Sequence, residues 1–150
     1  HKVSPKFTLG AYLEAYYSSR NFSNNYTATL MQAGEFTPTA HSKVTYNEAF
    51  RANQYAGVGA IPIYQLSESF QLRGEFYGFI PIFPIKKDEY GQAYYGKAFT
   101  KFEYLGEISL VFQLSFGSIS AYVNHYSSPS NDWNVGLTLG WQLFNSRFIE

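Results

Sequence analysis

Residues 105–127, LGEISLVFQLSFGSISAYVNHYS, carry two apolar series that change register at a single point. Ile108, Leu110, Phe112, Leu114 and Phe116 occupy even positions, while Ile119, Ala121 and Val123 occupy odd ones. Successive side chains of a strand point to opposite sides, so each series is one apolar face of a strand. The stretch predicts a hairpin turning at Gly117–Ser118, where glycine suits the positive φ of a tight turn. The register change keeps both series on one side of the pair. Whatever the chain folds into must supply a neighbour for a continuous apolar sheet face. That neighbour is a second sheet or a helix in a soluble β domain, and lipid in a membrane barrel.

The same period of two recurs along the chain and predicts seven strands: 6–18, 26–34, 53–66, 70–82, about 98–116, 119–126 and 133–144. The last is the clearest, with Trp133, Val135, Leu137, Leu139, Trp141 and Leu143 on one face and Asn134, Gly136, Thr138, Gly140 and Gln142 on the other. No stretch approaches the roughly 18 to 20 apolar residues of a spanning helix. The longest, YGFIPIFPI at 77–85, is broken by Pro81 and Pro84. Barrel strands need only about 9 to 11 residues of alternating polarity.

Three features favour lipid as the neighbour. Arg73 and Glu75 share a face, as do Tyr12 and Glu14, and a wet lumen accepts such groups where a dry core demands pairing. The apolar faces end in aromatics at Tyr17, Phe116, Trp133 and Trp141, as in the interfacial girdles of membrane barrels. Connections at 67–69 and 117–118 are short and those at 35–48 and 83–97 are long, the asymmetry that separates periplasmic turns from external loops. The expected fold is therefore all-β: an antiparallel, up-and-down transmembrane β-barrel portion, in one domain over 1–150. Its expected lipid-facing residues include Ile108, Leu110, Phe112, Leu114, Val135 and Leu137. Counted back from a periplasmic C-terminus, seven strands put the other end outside the cell. Upstream strands of the same chain, or another copy, are therefore expected to complete the barrel.

Composition narrows the function. Eleven Lys and Arg balance eleven Asp and Glu, which argues against a nucleic-acid partner. With no cysteine there is no disulfide scaffold or thiolate metal site. The three histidines, His1, His41 and His125, lack metal-ligand spacing. No Gly-x-Ser-x-Gly elbow occurs. GVGA at 57–60 has no following lysine and sits within a strand, where its glycines read as relief of crowding where the strand bends or another segment packs close. Asp88–Glu89 reads as solvated loop charge. No catalytic residue, metal or cofactor is expected.

The strand NVGLTLGW, 134–141, resembles the C-terminal signal read by the outer-membrane assembly machinery, matched by Asn134, Gly136, Leu139 and Trp141. Phe50-Arg51-Ala52-Asn53, in the loop before the third strand, occupies the place where BamA-like barrels carry an Arg-centred motif folded into the lumen, with Ala52 instead of glycine. Together with FTPTAHSKVTYNEAFRANQYAGVGAIPIYQLS and DWNVGLTLGWQLFN, these stretches are similar to the C-terminal part of the BamA-like (surface antigen) barrel of bacterial patatin-like phospholipases. The resemblance implies part of a sixteen-stranded barrel in a Gram-negative outer membrane. Its role would be the non-catalytic anchor or conduit of a lipase whose catalytic domain lies elsewhere. Arg51 would lock its loop inward against Glu75 or Glu14 on the lumen wall. Two alternatives stay open: the barrel of an outer-membrane assembly or secretion transporter, and a soluble β-barrel that binds an apolar ligand inside.

Overall fold

A computed structural model describes residues 4–20, 22–23, 25–128 and 133–141. In chain order the elements are β1 (Phe7–Tyr17), α1 (Tyr26–Gln32), β2 (Gly34–Glu35), a 3-10 turn (Glu48–Phe50), β3 (Arg51–Ala52), β4 (Gln54–Gln65) and β5 (Phe70–Pro81). There follow β6 (Ile85–Lys87), β7 (Ala93–Tyr95), β8 (Glu103–Leu114), β9 (Gly117–Tyr126) and β10 (Trp133–Trp141). Six of these strands form one sheet in the order β1-β4-β5-β8-β9-β10, and every pair is antiparallel. The sheet is a meander with β1 and β10 as its two edges. It is not closed on itself.

The alternation read from the sequence places the long strands within a few residues, but two details differ. The stretch expected as a second strand, 26–34, is mostly helix. Asn25 caps it, its side-chain oxygen accepting from the Ala28 N–H at 3.2 Å. Tyr26, Leu30 and Ala33 then fall on one helical face, where Leu30 and Ala33 are buried against Ile85 of β6. Seven residues are too few to hold a helix by propensity alone, so this burial is what sustains it. Hence β1 pairs directly with β4, Phe7 opposite Tyr64 through Tyr17 opposite Gln54, and the whole connection 18–53 is left to fold on its own.

The β8–β9 hairpin turns at Ser115–Phe116 rather than Gly117–Ser118, since Leu114 pairs with Gly117. Gly117 is not in the left-handed region; Gly91 is the glycine with positive φ among the described residues. Its lack of a side chain serves close approach instead, because a Cβ there would meet the Gly140 carbonyl oxygen of β10 at 2.1 Å. The two apolar series do share one face, with Phe112 opposite Ile119, Leu110 opposite Ala121 and Ile108 opposite Val123. The last three residues of the expected final strand, 142–144, lie outside the described residues.

The two tight turns, 66–69 and 115–116, lie at one end of the sheet. The longer connections 18–53 and 82–102 lie at the other, as the antiparallel order requires. The connection 82–102 carries a small ribbon of its own, β6 with β7.

Candidate functional site: a plugged face and a bare face

The pleat gives the sheet two faces of opposite character. Tyr12, Glu14 and Tyr16 of β1, Tyr55 and Gly57 of β4, Glu75, Tyr77 and Phe79 of β5, Leu105 and Glu107 of β8, and Asn124 and Tyr126 of β9 point to one side, called here the inner face. The connection 18–53 folds back over it. Phe36 and Phe50 of that connection are 2% exposed. They join Ala52, Tyr55, Tyr77, Phe79, Leu105 and Tyr126 in the main buried cluster. Phe36 stacks on Phe79 at 5.4 Å between ring centres and meets Tyr55 edge-on at 5.9 Å. Phe50 meets Tyr126 edge-on at 5.8 Å. Phe36 sits this low because Gly57 lies beneath it: a Cβ on Gly57 would stand 2.3 Å from the ring. Gly57 thus makes room for a packed segment, while Gly59 makes room for the Tyr77 ring of β5.

The loop reaches further. His41 Nδ1 lies 2.8 Å from the Tyr122 hydroxyl of β9 and its Nε2 lies 3.3 Å from the Thr45 hydroxyl. Burial pushes the His41 pKa down from its ordinary value, so the docked ring is the neutral form near pH 7. Thr39 and Ser42, both buried, close a tight turn upon each other: Ser42 Oγ donates to the Thr39 carbonyl at 2.8 Å and accepts from the Thr39 N–H at 2.9 Å.

The expected lock set Arg51 against Glu75 or Glu14 of the sheet; its ionic partner is instead Glu35 of the same connection. Arg51 pairs with Glu35 at 2.6 Å, its side chain 10% exposed. It also donates to the Leu30 carbonyl at the end of α1 at 3.2 Å, and its guanidinium stands 4.7 Å from the Tyr46 ring centre. Glu35 and Arg51 are direct cross-strand partners in the β2–β3 ribbon, which brings their side chains together without help from the wall. Neither Glu75 nor Glu14 is free to compete. Glu75 is held by Arg73 at 2.7 Å and by the Tyr77 hydroxyl at 2.6 Å. Glu14 accepts from Tyr55 at 2.7 Å and from Tyr12. Glu14 still touches the lock indirectly, because the same Tyr55 hydroxyl lies 3.2 Å from the Glu35 carbonyl. Nothing in the sequence marked Glu35, since its pairing depends on the register of a two-residue ribbon.

Beside Arg51 is a cleft of about 510 Å³ lined by Tyr26, Tyr46, Glu48 and Lys101. Its two cations are both engaged, Lys101 with Glu103 at 3.2 Å and with the Ala49 carbonyl at 3.4 Å. Among the described residues no group of three or more His, Cys, Asp or Glu is placed to hold a metal ion.

The other face is bare. Leu13, Val135, Leu137 and Leu139 are each at least 76% exposed. Ile108 and Leu110 are exposed, and Phe112 and Leu114 are half-buried on the same side. The outward positions of all six strands carry no Asp, Glu, Lys or Arg. Aromatic rings border this face at both ends. At the tight-turn end Phe70 lies 4.6 Å from Phe112 and Phe116 5.0 Å from Trp141. At the loop end stand Tyr17, Tyr104 and Trp133, the last stacked on His125 at 4.7 Å. Of the residues matched to an assembly signal, Leu139 and Trp141 are on this exposed side, while Asn134 points inward and bonds to Asn124 at 3.2 Å. Gly136, also inward, lies beneath Tyr122, whose hydroxyl is 2.4 Å from where a Cβ would be.

No protein-family model, curated protein or solved structure matches this chain.

Proposed function

We propose that the sheet is the C-terminal part of an outer-membrane β-barrel of the BamA-like type, with its bare face against lipid and its plugged face toward the lumen. One observation carries this reading: a six-stranded face without a single charged side chain, bordered by aromatic rows at both ends. Exposed apolar patches of ordinary soluble monomers reach only about 300 to 600 Å², and a face of this breadth needs a permanent cover. The eight residue steps from Trp133 to Trp141 span about 26 Å along the strand at ~3.3 Å each. Tilted by about 40°, that gives roughly 20 Å between aromatic rows, close to the ~25 Å apolar band of outer-membrane barrels.

The two bare edges, β1 and β10, are completed in this reading by further strands, from the same chain or another copy, because hydrocarbon leaves no backbone group unpaired. The barrel serves as anchor and conduit for a patatin-like phospholipase and performs no catalysis itself. The inward Arg51 supports a second reading as the barrel of an assembly or secretion transporter. A Gly-x-Ser-x-Gly lipase domain on the same polypeptide would favour the first and tandem periplasmic repeats the second.

Spin labels at 137 and 138 in the full-length protein, reconstituted in phospholipid vesicles, test the sidedness. A lipid-soluble relaxation agent is expected to reach the label at 137 and a water-soluble one the label at 138. The reverse pattern, or water access at both, overturns the membrane reading.

A further inference from the structure

The bare face is not flat. Near its loop end a groove of about 660 Å³ crosses the sheet from Val58 on β4 to Trp133 on β10. Its floor includes the small residues Ala60 and Gly106, Phe102 of the connection 82–102 lies over Gly78, and Phe76 and Trp133 stand up as walls. The register explains the hollow. Phe76 pairs with Ala60 on one side and Gly106 on the other, and Gly78 pairs with Val58, so small residues surround one large ring. No Asp, Glu, Lys or Arg lines it, and His125 is at the aromatic rim beside Trp133.

From β4 to β10 the groove crosses four strand spacings, about 19 Å at ~4.8 Å each. One leaflet of a bilayer's hydrocarbon is about 15 Å deep. The hollow is therefore long enough for one extended acyl chain. A smooth barrel wall in fluid lipid needs no such feature, and a close-packed interior would fill it.

Resting on the membrane reading above, we propose that this groove is an acyl-chain site, holding one chain of a membrane phospholipid in place while the rest of the face meets exchanging lipid. The walls supply contact on both sides of the chain, where a flat sheet supplies it on one. Gly106 lets the chain lie against the backbone of β8, and the Phe102 ring over Gly78 adds an aromatic surface above β5.

Single-tryptophan versions of the full-length protein test this, one keeping Trp133 in the groove and one keeping Trp141 at the opposite aromatic row. Each is held in detergent micelles and titrated with phosphatidylcholine carrying dibrominated acyl chains, which quench tryptophan on contact. Trp133 is expected to lose half its quenchable emission at a lipid fraction roughly tenfold lower than Trp141. Gly106→Leu fills the floor, and its Cβ has room, meeting only the Phe76 ring at 3.6 Å or more. It should move the Trp133 curve onto that of Trp141. Ala60→Leu fills the same hollow from β4 and gives the same reading should Gly106→Leu fail to assemble. Superposed Trp133 and Trp141 curves in the unsubstituted protein, or a Trp133 curve indifferent to both fillings, overturn the site. In vesicles made wholly of the brominated lipid both tryptophans should be quenched. Quenching of neither would overturn the membrane reading itself.

Discussion

The inner and outer faces of this sheet are built from the same six strands, one residue out of phase, and they obey different rules. Inward, nearly every large group has an assigned partner: Glu75 has Arg73 and Tyr77, Glu14 has Tyr12 and Tyr55, and Gly57 is the seat of Phe36. Outward, Leu13, Leu137 and Leu139 touch little of their own chain. The inner face is specified by contacts that the chain makes with itself. The outer face is specified only by what it lacks, which is charge. A face of the first kind is sensitive to shape, and one of the second kind is sensitive to polarity.

That contrast can be broken by substitution, and the largest effect is expected inside. Phe36→Ala removes a ring at 2% exposure from the main cluster and should cost about 3 to 5 kcal/mol, read as earlier thermal unfolding and faster proteolysis within 36–47. Gly57→Leu should undock the same loop by colliding with Phe36, and a protected loop in that variant would mean the ring is not seated there. Outside, Leu139→Arg should cost about 2 to 4 kcal/mol in lipid, whereas Thr138→Arg, one residue away, should be nearly neutral. Measured by urea titration from phospholipid vesicles, equal costs at the two positions would erase the distinction between the faces.

Smaller effects sharpen the inner face. Arg51→Ala leaves Glu35 and the Leu30 carbonyl without their partner and should cost about 1.5 to 3 kcal/mol. Arg51→Lys should recover little, because a lysine cannot bridge carboxylate and carbonyl in one planar fork. Glu35→Gln should reproduce part of that loss, and Glu75→Gln should leave the loop's protection unchanged; the opposite ranking would move the lock back to the wall.

The smallest expected effect is a pH dependence at His41. Its folded pKa lies below the ordinary value of about 6.5, so the unfolded chain binds the proton first. Docking is fully stabilised above that ordinary value and loses strength as pH falls through the lower folded one. Loop proteolysis should accelerate in that window, and His41→Gln should flatten the response.

How much of this was legible in the sequence follows the same division. The outward series needed only a period of two, so Val135, Leu137 and Leu139 could be placed on one side without knowing any neighbour. The helix at 26–32 was masked because Thr27, Thr29 and Met31 happen to fit an alternating pattern. Its signals, the Asn25 cap and the i, i+4, i+7 series Tyr26, Leu30 and Ala33, were present but short. The Arg51 partner was not legible at all, since Glu35 and Arg51 meet only through the register of a ribbon. Gly117 misled for a different reason: it spares the Gly140 carbonyl, a contact with a strand more than twenty residues on.

The hydrogen bond between His41 and Tyr122 joins residues 81 apart in the chain, and this sets a chronology. The hairpins β4–β5 and β8–β9 close short loops at little entropic cost, whereas seating the connection 18–53 needs β1, β4, β5, β8 and β9 already side by side. The plug therefore settles after those five strands, and its arrival reports that they have been laid down in the right order. A chain with one strand out of register would offer Phe36 no Gly57 to rest on and His41 no Tyr122 to meet. The docked loop then works as an inspection of the finished sheet, written into the molecule by sequence distance.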